Sequence, residues 1–390
     1  MSRAAAVKLS SAEWSGAGAQ PRLGTGWEPA ALLLLTLVLL SVGIVSVYSA
    51  SSVMAQSRGL PDYYYVVRQV TGGCMGFVVL VGTAYIDYRR LRMFAWPILL
   101  LVIAALIATL VPGAHSRLVN GGRRWLEIGP IALQPSELAK LALIIWTAAL
   151  TVRKQDRLTS LSRGLLPFLL VWGIVTLLIF MQPSMSAAVI TMLLASLVVF
   201  AGGARIGHFI LLALIGLPLL WSQIGAAAYR MRRMAAFFDP SHDPANVSYQ
   251  ITQSLIAIGS GGIFGRGFGH GAQKFGYLPE PHNDFIFAMI GEEWGFIGLF
   301  AIICMFAAFA LIGFRIAKHA PDLFGFLLAV GMTNLIAVQA MLHILVNLAL
   351  IPTTGVTLPF MSYGRTSLLV CLGAVGILIN VARRTGEVRA

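Results

Sequence analysis

The run Ala30-Ala-Leu-Leu-Leu-Leu-Thr-Leu-Val-Leu-Leu-Ser-Val-Gly-Ile-Val-Ser-Val-Tyr48 contains no charged residue, and the next charge comes only at Arg58. About 20 apolar residues in a helix are enough to cross the hydrocarbon core of a bilayer. Of the 390 residues, 58% are hydrophobic and 11% are charged, whereas soluble domains carry about 25% charged residues. This composition excludes a soluble globular enzyme and a disordered chain, and it indicates a polytopic membrane protein.

Similar apolar segments recur along the chain and predict ten membrane helices. They fall at about 30–53, 65–86, 93–111, 137–152, 165–182, 185–201, 206–227, 285–314, 323–350 and 367–382. The predicted fold class is therefore an all-α polytopic membrane protein. We expect an N-terminal tail over 1–28, a transmembrane domain over 29–382 and a C-terminal tail over 383–390. An even number of crossings puts both tails on the same side of the membrane.

The distribution of the basic residues predicts which side that is. The chain has 28 Lys and Arg residues against 15 Asp and Glu residues, a net charge of +13. If both tails are cytoplasmic, 16 basic residues lie on the inner side, 11 lie on the outer side and Lys140 lies within a helix. The positive-inside rule favours this orientation. Eight of the outer basic residues lie in two long loops, at about 112–136 and 228–283. A nucleic-acid-binding protein would need a more polar surface, so we expect no nucleic acid partner.

The stretch Tyr277-Leu-Pro-Glu-Pro-His-Asn-Asp284 lies where the second long loop meets the eighth helix. Two interpretations are open: Asn283 or Asp284 caps that helix, or Asp284 is a general base whose pKa is raised by partial burial. Glu292 lies eight residues further on, about 12 Å along a helix. Paired carboxylates of glycosidases are about 5–9.5 Å apart. A two-carboxylate hydrolase is therefore disfavoured, and a transferase with a single base is not.

Candidate basic residues cluster around the start of the fourth helix. Glu137 and Lys140 have the i, i+3 spacing of a helical ion pair. Lys140 is either a structural partner of Glu137 or an anion contact in a cavity. Arg123, Arg124 and Trp125 are either a basic rim at the level of the lipid headgroups or ordinary interfacial residues.

Two glycine-rich segments complete the outer side. The stretch from Gly259 to Gly271 has seven glycines in 13 residues, but it lacks the Lys-Ser/Thr and the strand-turn-helix context of a nucleotide-binding loop. Close approach to a phosphate or sugar, with Arg266 and Lys274 nearby, and plain flexibility both remain open. Residues 352–365 are too rich in Pro, Gly and polar residues for a continuous helix, so this segment must be buried in protein or line a cavity. No cluster of Cys, His and Asp has ligand spacing, so we predict no metal site.

Several motifs together resemble the SEDS family (shape, elongation, division and sporulation proteins: RodA, FtsW and SpoVE), over essentially the whole chain after the first 25 residues. The motifs that carry the resemblance are Asn120-Gly-x-x-Arg-Trp, Gln134-Pro-Ser-Glu-x-x-Lys140, Gln182-Pro183, Tyr277-Leu-Pro-Glu-x-His-x-Asp284-Phe and Leu358-Pro-x-x-Ser-Tyr-Gly364. Gln253-Ser-Leu-Ile-Ala-Ile-Gly and Gln273-Lys-Phe look more like the FtsW division branch than like RodA. The chain departs from the usual family pattern at Ser184, His343 and Arg365.

The resemblance implies a peptidoglycan glycosyltransferase that polymerises lipid II on the outer face of the bacterial cytoplasmic membrane, at the division septum, and releases undecaprenyl pyrophosphate. It implies that Asp284 is the catalytic base for inverting transfer to the acceptor sugar. It also implies a set of substrate-binding residues: Arg123, Arg124, Trp125, Glu137, Lys140, Gln182, Lys274, His282, Ser362 and Tyr363.

The resemblance also implies partners. These are lipid II, the growing glycan strand, a class B penicillin-binding protein that acts as transpeptidase, and other divisome membrane proteins. No cofactor is evident, and a divalent cation is expected only on the pyrophosphate of the substrate. Two other functions remain open: a lipid II flippase, which would need polar groups along a path through the bundle, and a non-catalytic division scaffold.

Overall fold

The computed structural model describes residues 26–111, 113, 116–119, 122–129, 131–225, 228–238 and 247–385. Twelve α-helices and one small sheet make up the described chain. The helices are α1 (Glu28–Ser57), α2 (Tyr64–Tyr85), α3 (Tyr88–Leu110), α4 (Pro135–Arg153), α5 (Leu166–Met181), α6 (Met185–Ala201), α7 (Ile206–Gly225), α8 (Ala228–Phe238), α9 (Val247–Gly261), α10 (Ile286–Lys318), α11 (Leu323–Asn347) and α12 (Arg365–Arg384).

Ten of these helices coincide with the ten predicted segments. Among the described residues, nine helices are long and apolar enough to cross a membrane, and α6 is a shorter apolar helix of 17 residues. The remaining two, α8 and α9, belong to the second long loop. The predicted fold class is thus confirmed: the chain is a mostly helical, multi-pass membrane protein. Most of the two predicted tails, 1–28 and 383–390, lies outside the described residues.

Three helices, α4, α11 and α12, form the centre of the bundle and are mostly buried, while the others surround them. Small residues allow α2 and α12 to pack closely, as is usual between membrane helices. A side chain at Gly76 would collide with Leu372, and one at Gly376 would collide with Leu80 and Thr83. This packing fixes where α12 begins, next to the segment that carries the candidate site.

Both described ends of the chain lie at the same end of the bundle. Arg315 near the end of α10 pairs with Glu28 at the start of α1 at 2.8 Å, and Arg384 at the end of α12 pairs with Asp87 at 3.2 Å. We call this the termini end. The opposite end, which carries Asp284, is called the site end. That both ends of the chain share one side agrees with the even number of crossings, whereas the side itself stays a prediction.

The first long loop folds at the site end into a three-stranded antiparallel sheet. Its strands, in spatial order, are β1 (Ser116–Val119), β2 (Gly122–Ile128) and β3 (Ile131–Leu133). The sequence did not predict this sheet, because strands of three to seven residues are too short for a clear alternating pattern. The sheet matters because β2 carries the predicted Arg-Arg-Trp rim.

Candidate active site

Asp284 lies two residues before the first turn of α10. The N-cap position of that helix is Phe285, whose side chain makes no capping hydrogen bond. The interpretation of Asn283 or Asp284 as a helix cap is therefore wrong. Instead, the N–H groups of Asn283 and Asp284 donate to the carbonyl oxygen of Glu280 at 3.1 and 3.3 Å. This turn leaves the Asp284 side chain available for chemistry.

The carboxylate of Asp284 accepts no hydrogen bond within the described part of the chain, and it keeps partial solvent exposure. Its Oδ2 atom faces Gly355 of the segment between α11 and α12, where an added Cβ would come to 4.0 Å. Burial raises the pKa of Asp284 to about 6. The positive charges of Arg233 and Arg124 lower this pKa, and the negative charge of Glu280 raises it. A carboxylate with this pKa is ionised at neutral pH and still basic enough to take a proton.

Two arginines from different loops lie close enough to Asp284 for their charges to act on it. Arg124 on β2 donates to the carbonyl oxygens of Gln182 and Pro183 at 3.0 and 2.6 Å. Arg233 on α8 donates to the carbonyl oxygen of Thr353 at 3.0 Å. Guanidinium groups bind phosphate oxygens with well-defined geometry. The arrangement thus places two potential phosphate ligands beside one potential base.

The segment between α11 and α12, residues 348–364, is hydrogen-bonded to the turn that carries Asp284. The buried hydroxyl of Ser362 donates to the carbonyl oxygen of Asn283 and accepts from the N–H of Leu358, each at 2.8 Å. The N–H of Tyr363 donates to the carbonyl oxygen of His282 at 2.9 Å. Both hydrogen-bonding directions of Ser362 are used internally, which gives this residue a bracing position.

His282 lies in an aromatic cluster at the site end. Its ring centroid is 4.6 Å from that of Tyr65 and 5.4 Å from that of Tyr363. Burial, helped by the positive charge of Arg58, lowers the pKa of His282 to about 4. The imidazole is therefore neutral near pH 7. It adds no positive charge to the site, and it is only 1% exposed.

Glu137 and Lys140 form the predicted pair within α4. The Lys140 Nζ atom donates to Glu137 Oε1 at 2.8 Å and to Gln339 Oε1 of α11 at 3.2 Å, and its side chain is only 3% exposed. The lysine is enclosed between two helices. Among the two interpretations, this geometry favours the structural ion pair.

The other predicted contacts lie at different depths. The Gln182 carboxamide donates to Thr109 Oγ1 at 2.6 Å inside the bundle, so only its backbone reaches the site, through Arg124. Arg123 on β2 donates to Ser116 Oγ at 3.2 Å, and Trp125 is partly exposed on the same strand. Lys274 donates to the carbonyl oxygen of Gly269. It is not among the charges that act on Asp284.

The glycine-rich stretch packs against a break in α10. Inside that helix, Gly295 has φ +68° and ψ −165°, which no helix contains. A Cβ atom at Gly295 would collide with the Gly265 backbone, and one at Gly265 would collide with the backbone of Glu293. Across this contact Phe296 N donates to Gly262 O at 2.9 Å. Gly265 and Gly295 therefore serve close packing of backbone on backbone.

Glu292 closes the same contact with its side chain. The carboxylate is 1% exposed and accepts hydrogen bonds from the N–H groups of Ala272 and Gln273 at 2.7 and 3.2 Å. Arg266 lies 3.6 Å away. Glu292 thus holds the loop to α10 and does not form a catalytic pair with Asp284.

Three residues that contact the site were missed from the sequence: Arg233, Gln69 and Asn347. Gln69 of α2 is fully buried, and its amide spans Ser362 O at 3.1 Å and Gly364 N at 3.3 Å. The only signal for Arg233 was the basic cluster at 230–233. Gln69 and Asn347 gave none, because a polar residue in an apolar run does not reveal its partners.

Among the described residues, no group of three His, Cys, Asp or Glu side chains lies close enough to hold a metal ion. Asp284 and Glu280 lie in one turn, but the charges that act on Asp284 also include the positive charges of Arg233 and Arg124. That the chain has no metal site of its own stays a prediction.

Comparisons with known proteins agree with this architecture. The family model for cell cycle proteins of the FtsW, RodA and SpoVE type matches residues 30–387. "Stage V sporulation protein E" of Bacillus subtilis (strain 168) is 42% identical over 354 residues, covering 90% of this chain and 96% of the relative. "Probable peptidoglycan glycosyltransferase FtsW" of Trichlorobacter lovleyi is 42% identical over 351 residues, covering 90% of this chain and 92% of the relative.

Solved structures match at lower identity. One, described as "Structural coordination of polymerization and crosslinking by a peptidoglycan synthase complex", has 26% identity and a TM-score of 0.74, covering 91% of this chain and 97% of the other. The crystal structure of the rod shape determining protein RodA of Thermus thermophilus has 26% identity and a TM-score of 0.66, covering 92% and 97%. The same fold thus extends over nearly the whole chain, and the protein belongs to the FtsW/RodA/SpoVE family of cell cycle proteins.

Proposed function

We propose that this protein is a peptidoglycan glycosyltransferase that polymerises lipid II, with Asp284 as its catalytic base. The observation that carries the proposal is one partly exposed carboxylate at the site end of a membrane bundle, on which the charges of Arg124 and Arg233 act. A lipid-linked pyrophosphate needs this combination. The base acts on the sugar, and the cations face the phosphates.

The chemistry requires only one protein carboxylate. Asp284 takes the proton of the acceptor hydroxyl, whose oxygen attacks the anomeric carbon of the donor. The bond between that carbon and the pyrophosphate oxygen breaks with inversion, and undecaprenyl pyrophosphate leaves with the bonding electrons. Arg124 and Arg233 offset the negative charge that develops on the leaving group. A divalent cation, where one takes part, is held by the pyrophosphate.

The predicted substrate contacts divide by depth. Arg123, Arg124 and Trp125 on β2 form an accessible rim, which suits the headgroup of the substrate, and we propose that Lys274 and Tyr363 contact its sugars or phosphates. The remaining five, Glu137, Lys140, Gln182, His282 and Ser362, are nearly or fully buried. Their proposed contribution is to hold the site in shape.

The proposal includes a place and partners. The site end faces the outside of the bacterial cytoplasmic membrane at the division septum, and both termini are cytoplasmic. A class B penicillin-binding protein crosslinks the strands, together with other divisome membrane proteins. The structural relative whose description joins polymerisation to crosslinking supports such a partner.

The test is polymerisation of lipid II by the purified protein, with and without its transpeptidase partner. We expect Asp284→Asn to lose activity by about 10²- to 10⁴-fold, the usual contribution of a general base. The matched control is Asp62→Asn, which removes a carboxylate at the same end that bonds to Tyr48 at 3.2 Å; it should polymerise normally.

Normal polymer from Asp284→Asn would refute the proposal. Lipid II translocation in liposomes without polymer would indicate the flippase, and rescue of growth by an inactive Asp284 variant would indicate the scaffold.

A further inference from the structure

Asn347, the last residue of α11, is fully buried and connects that helix to the Asp284 turn. Its Nδ2 group donates to the carbonyl oxygen of Asp284 at 3.1 Å and to that of His343 at 2.9 Å. Its Oδ1 atom accepts from the N–H of Ala288, in the first turn of α10, at 3.1 Å. One carboxamide thus holds the peptide of Asp284 and the start of the helix that follows it.

His343 lies one turn earlier on α11 and bonds to the segment between α11 and α12, on the other side of the site. Its buried Nδ1 atom bonds to the carbonyl oxygen of Val356 at 2.7 Å. Because a carbonyl oxygen only accepts, Nδ1 is the protonated nitrogen of this imidazole. Val356 directly follows Gly355, the residue that Asp284 Oδ2 faces. The same face of α11 therefore bonds to both segments that meet at the carboxylate.

We propose that Asn347 and His343 are positioning residues for Asp284, which set the distance between its carboxylate and the wall at Gly355. The proposal rests on the proposed function of Asp284 as the base, and it adds that α11 is the rigid element that aligns the base.

The geometry gives this pair more than a general stabilising role. Charged groups face Asp284 from three elements: Arg124 from β2, Arg233 from α8 and Glu280 from its own turn. These charges act on the Asp284 side chain, whereas Asn347 bonds to the backbone carbonyl oxygen of the same residue. Loss of the Asn347 bond therefore lets the carboxylate move relative to all three. A misplacement of about 1 Å at a reacting group costs roughly 100-fold in rate.

The test compares two asparagines of α11 in the polymerisation assay with the full-length protein. Asn347→Leu keeps the number and branching of the side-chain heavy atoms and removes all three side-chain bonds. The matched control is Asn334→Leu, because Asn334 Nδ2 donates at 2.9 Å to Val330 O of its own helix. We expect Asn347→Leu to lower kcat by about 10- to 100-fold with KM changed less than about threefold, and Asn334→Leu to match the wild type.

The pH profile separates positioning from stability. A loosened turn exposes Asp284 to water, so the midpoint of its acid limb should move from about 6 toward the ordinary value of 3.8. His343 supplies a second pair of variants. His343→Asn places an amide N–H where Nδ1 was and should retain activity, whereas His343→Leu should lose it.

The outcomes are distinct. Wild-type kcat and pH profile in Asn347→Leu, beside an inactive Asp284→Asn, would overturn the positioning role and leave the proposed function intact. An active Asp284→Asn would overturn the proposed function itself. If Asn347→Leu does not fold, the His343 pair decides: equal activity of His343→Leu and His343→Asn would contradict the proposal, and rescue by asparagine alone would support it.

Discussion

With Asp284 as the proposed base, its ionisation should set the pH range in which the protein works. A base acts only when it is deprotonated, so activity should rise with pH through the pKa of about 6 and level off near 7. Arg233 lowers that pKa, so its removal should raise it and move the acid limb to higher pH.

We therefore expect Arg233→Gln to shift the midpoint upward and to lower the rate at pH 6 more than at pH 8. The midpoint is measured from initial polymerisation rates between pH 5 and 8, a range that extends at least about one pH unit to each side of the pKa. Arg230→Gln is the control on the same helix, since Arg230 bonds to Gln223 O at 2.7 Å and stacks over Phe180. A midpoint that does not move in Arg233→Gln would contradict this electrostatic role.

Lys140 allows the two interpretations of the buried pair to be separated. Loss of one partner of a buried ion pair typically costs about 3–5 kcal/mol, because the other charge is left uncompensated. Lys140→Met should therefore lower the melting temperature of the purified protein strongly, and Glu137→Gln/Lys140→Met should recover most of it. If Lys140 instead binds the substrate, the double variant will be stable but inactive.

For single residues, the sequence predicted the features that depend on neighbours a few positions away in the chain. Asp284 stood out by its motif, and the pairing of Glu137 with Lys140 followed from i, i+3 spacing. Asn347 and Gln69 could not be found this way, because they bond to backbone atoms 63 and 293 residues away. Such bonds depend on which helices become neighbours, and a single sequence does not show that.

Among the elements, the break in α10 is the feature most sensitive to substitution. Gly265 has φ +81°, which L side chains rarely adopt, and a Cβ there would collide with the backbone of Glu293. Gly265→Ala should therefore destabilise the protein by at least about 1–3 kcal/mol, with a matching loss of activity. The control is Gly259→Ala in α9, where no atom lies within 4 Å of the added Cβ. Melting temperatures compare the two, and equal values would show that the loop is loosely packed.

Hydropathy located the nine helices of the described chain that are long enough to cross a membrane, and the shorter α6, but it did not locate their ends. The third was predicted from 93 and begins at Tyr88, because Arg89 and Arg90 form its first turn. Long basic side chains can remain helical and reach the interface, so a charge does not mark the end of a helix. The β-sheet and the break at Gly295 were missed for a related reason: both depend on contacts between segments.

For the whole molecule, the arrangement of the two ends turns the topology into a measurable property. The turn between α1 and α2 lies at the site end, since Arg58 contacts Glu280 at 3.6 Å. The turn between α4 and α5 lies at the termini end, because α4 begins at the site end, directly after β3, and runs away from it. The charge distribution predicts that the first turn faces outward and the second faces the cytoplasm.

Single cysteines at Asp62 and Thr159 test this in a background in which Cys74, Cys304 and Cys371 are replaced. We expect a membrane-impermeant maleimide to label Asp62→Cys in intact cells and to label Thr159→Cys only after permeabilisation. Since both positions are partly or fully exposed, failure to label cannot be due to burial. The reverse pattern would place Asp284 in the cytoplasm and would contradict polymerisation on the outer face. The expected pattern puts the proposed base, Arg233 and the Arg-Arg-Trp rim on the side where glycan strands are assembled.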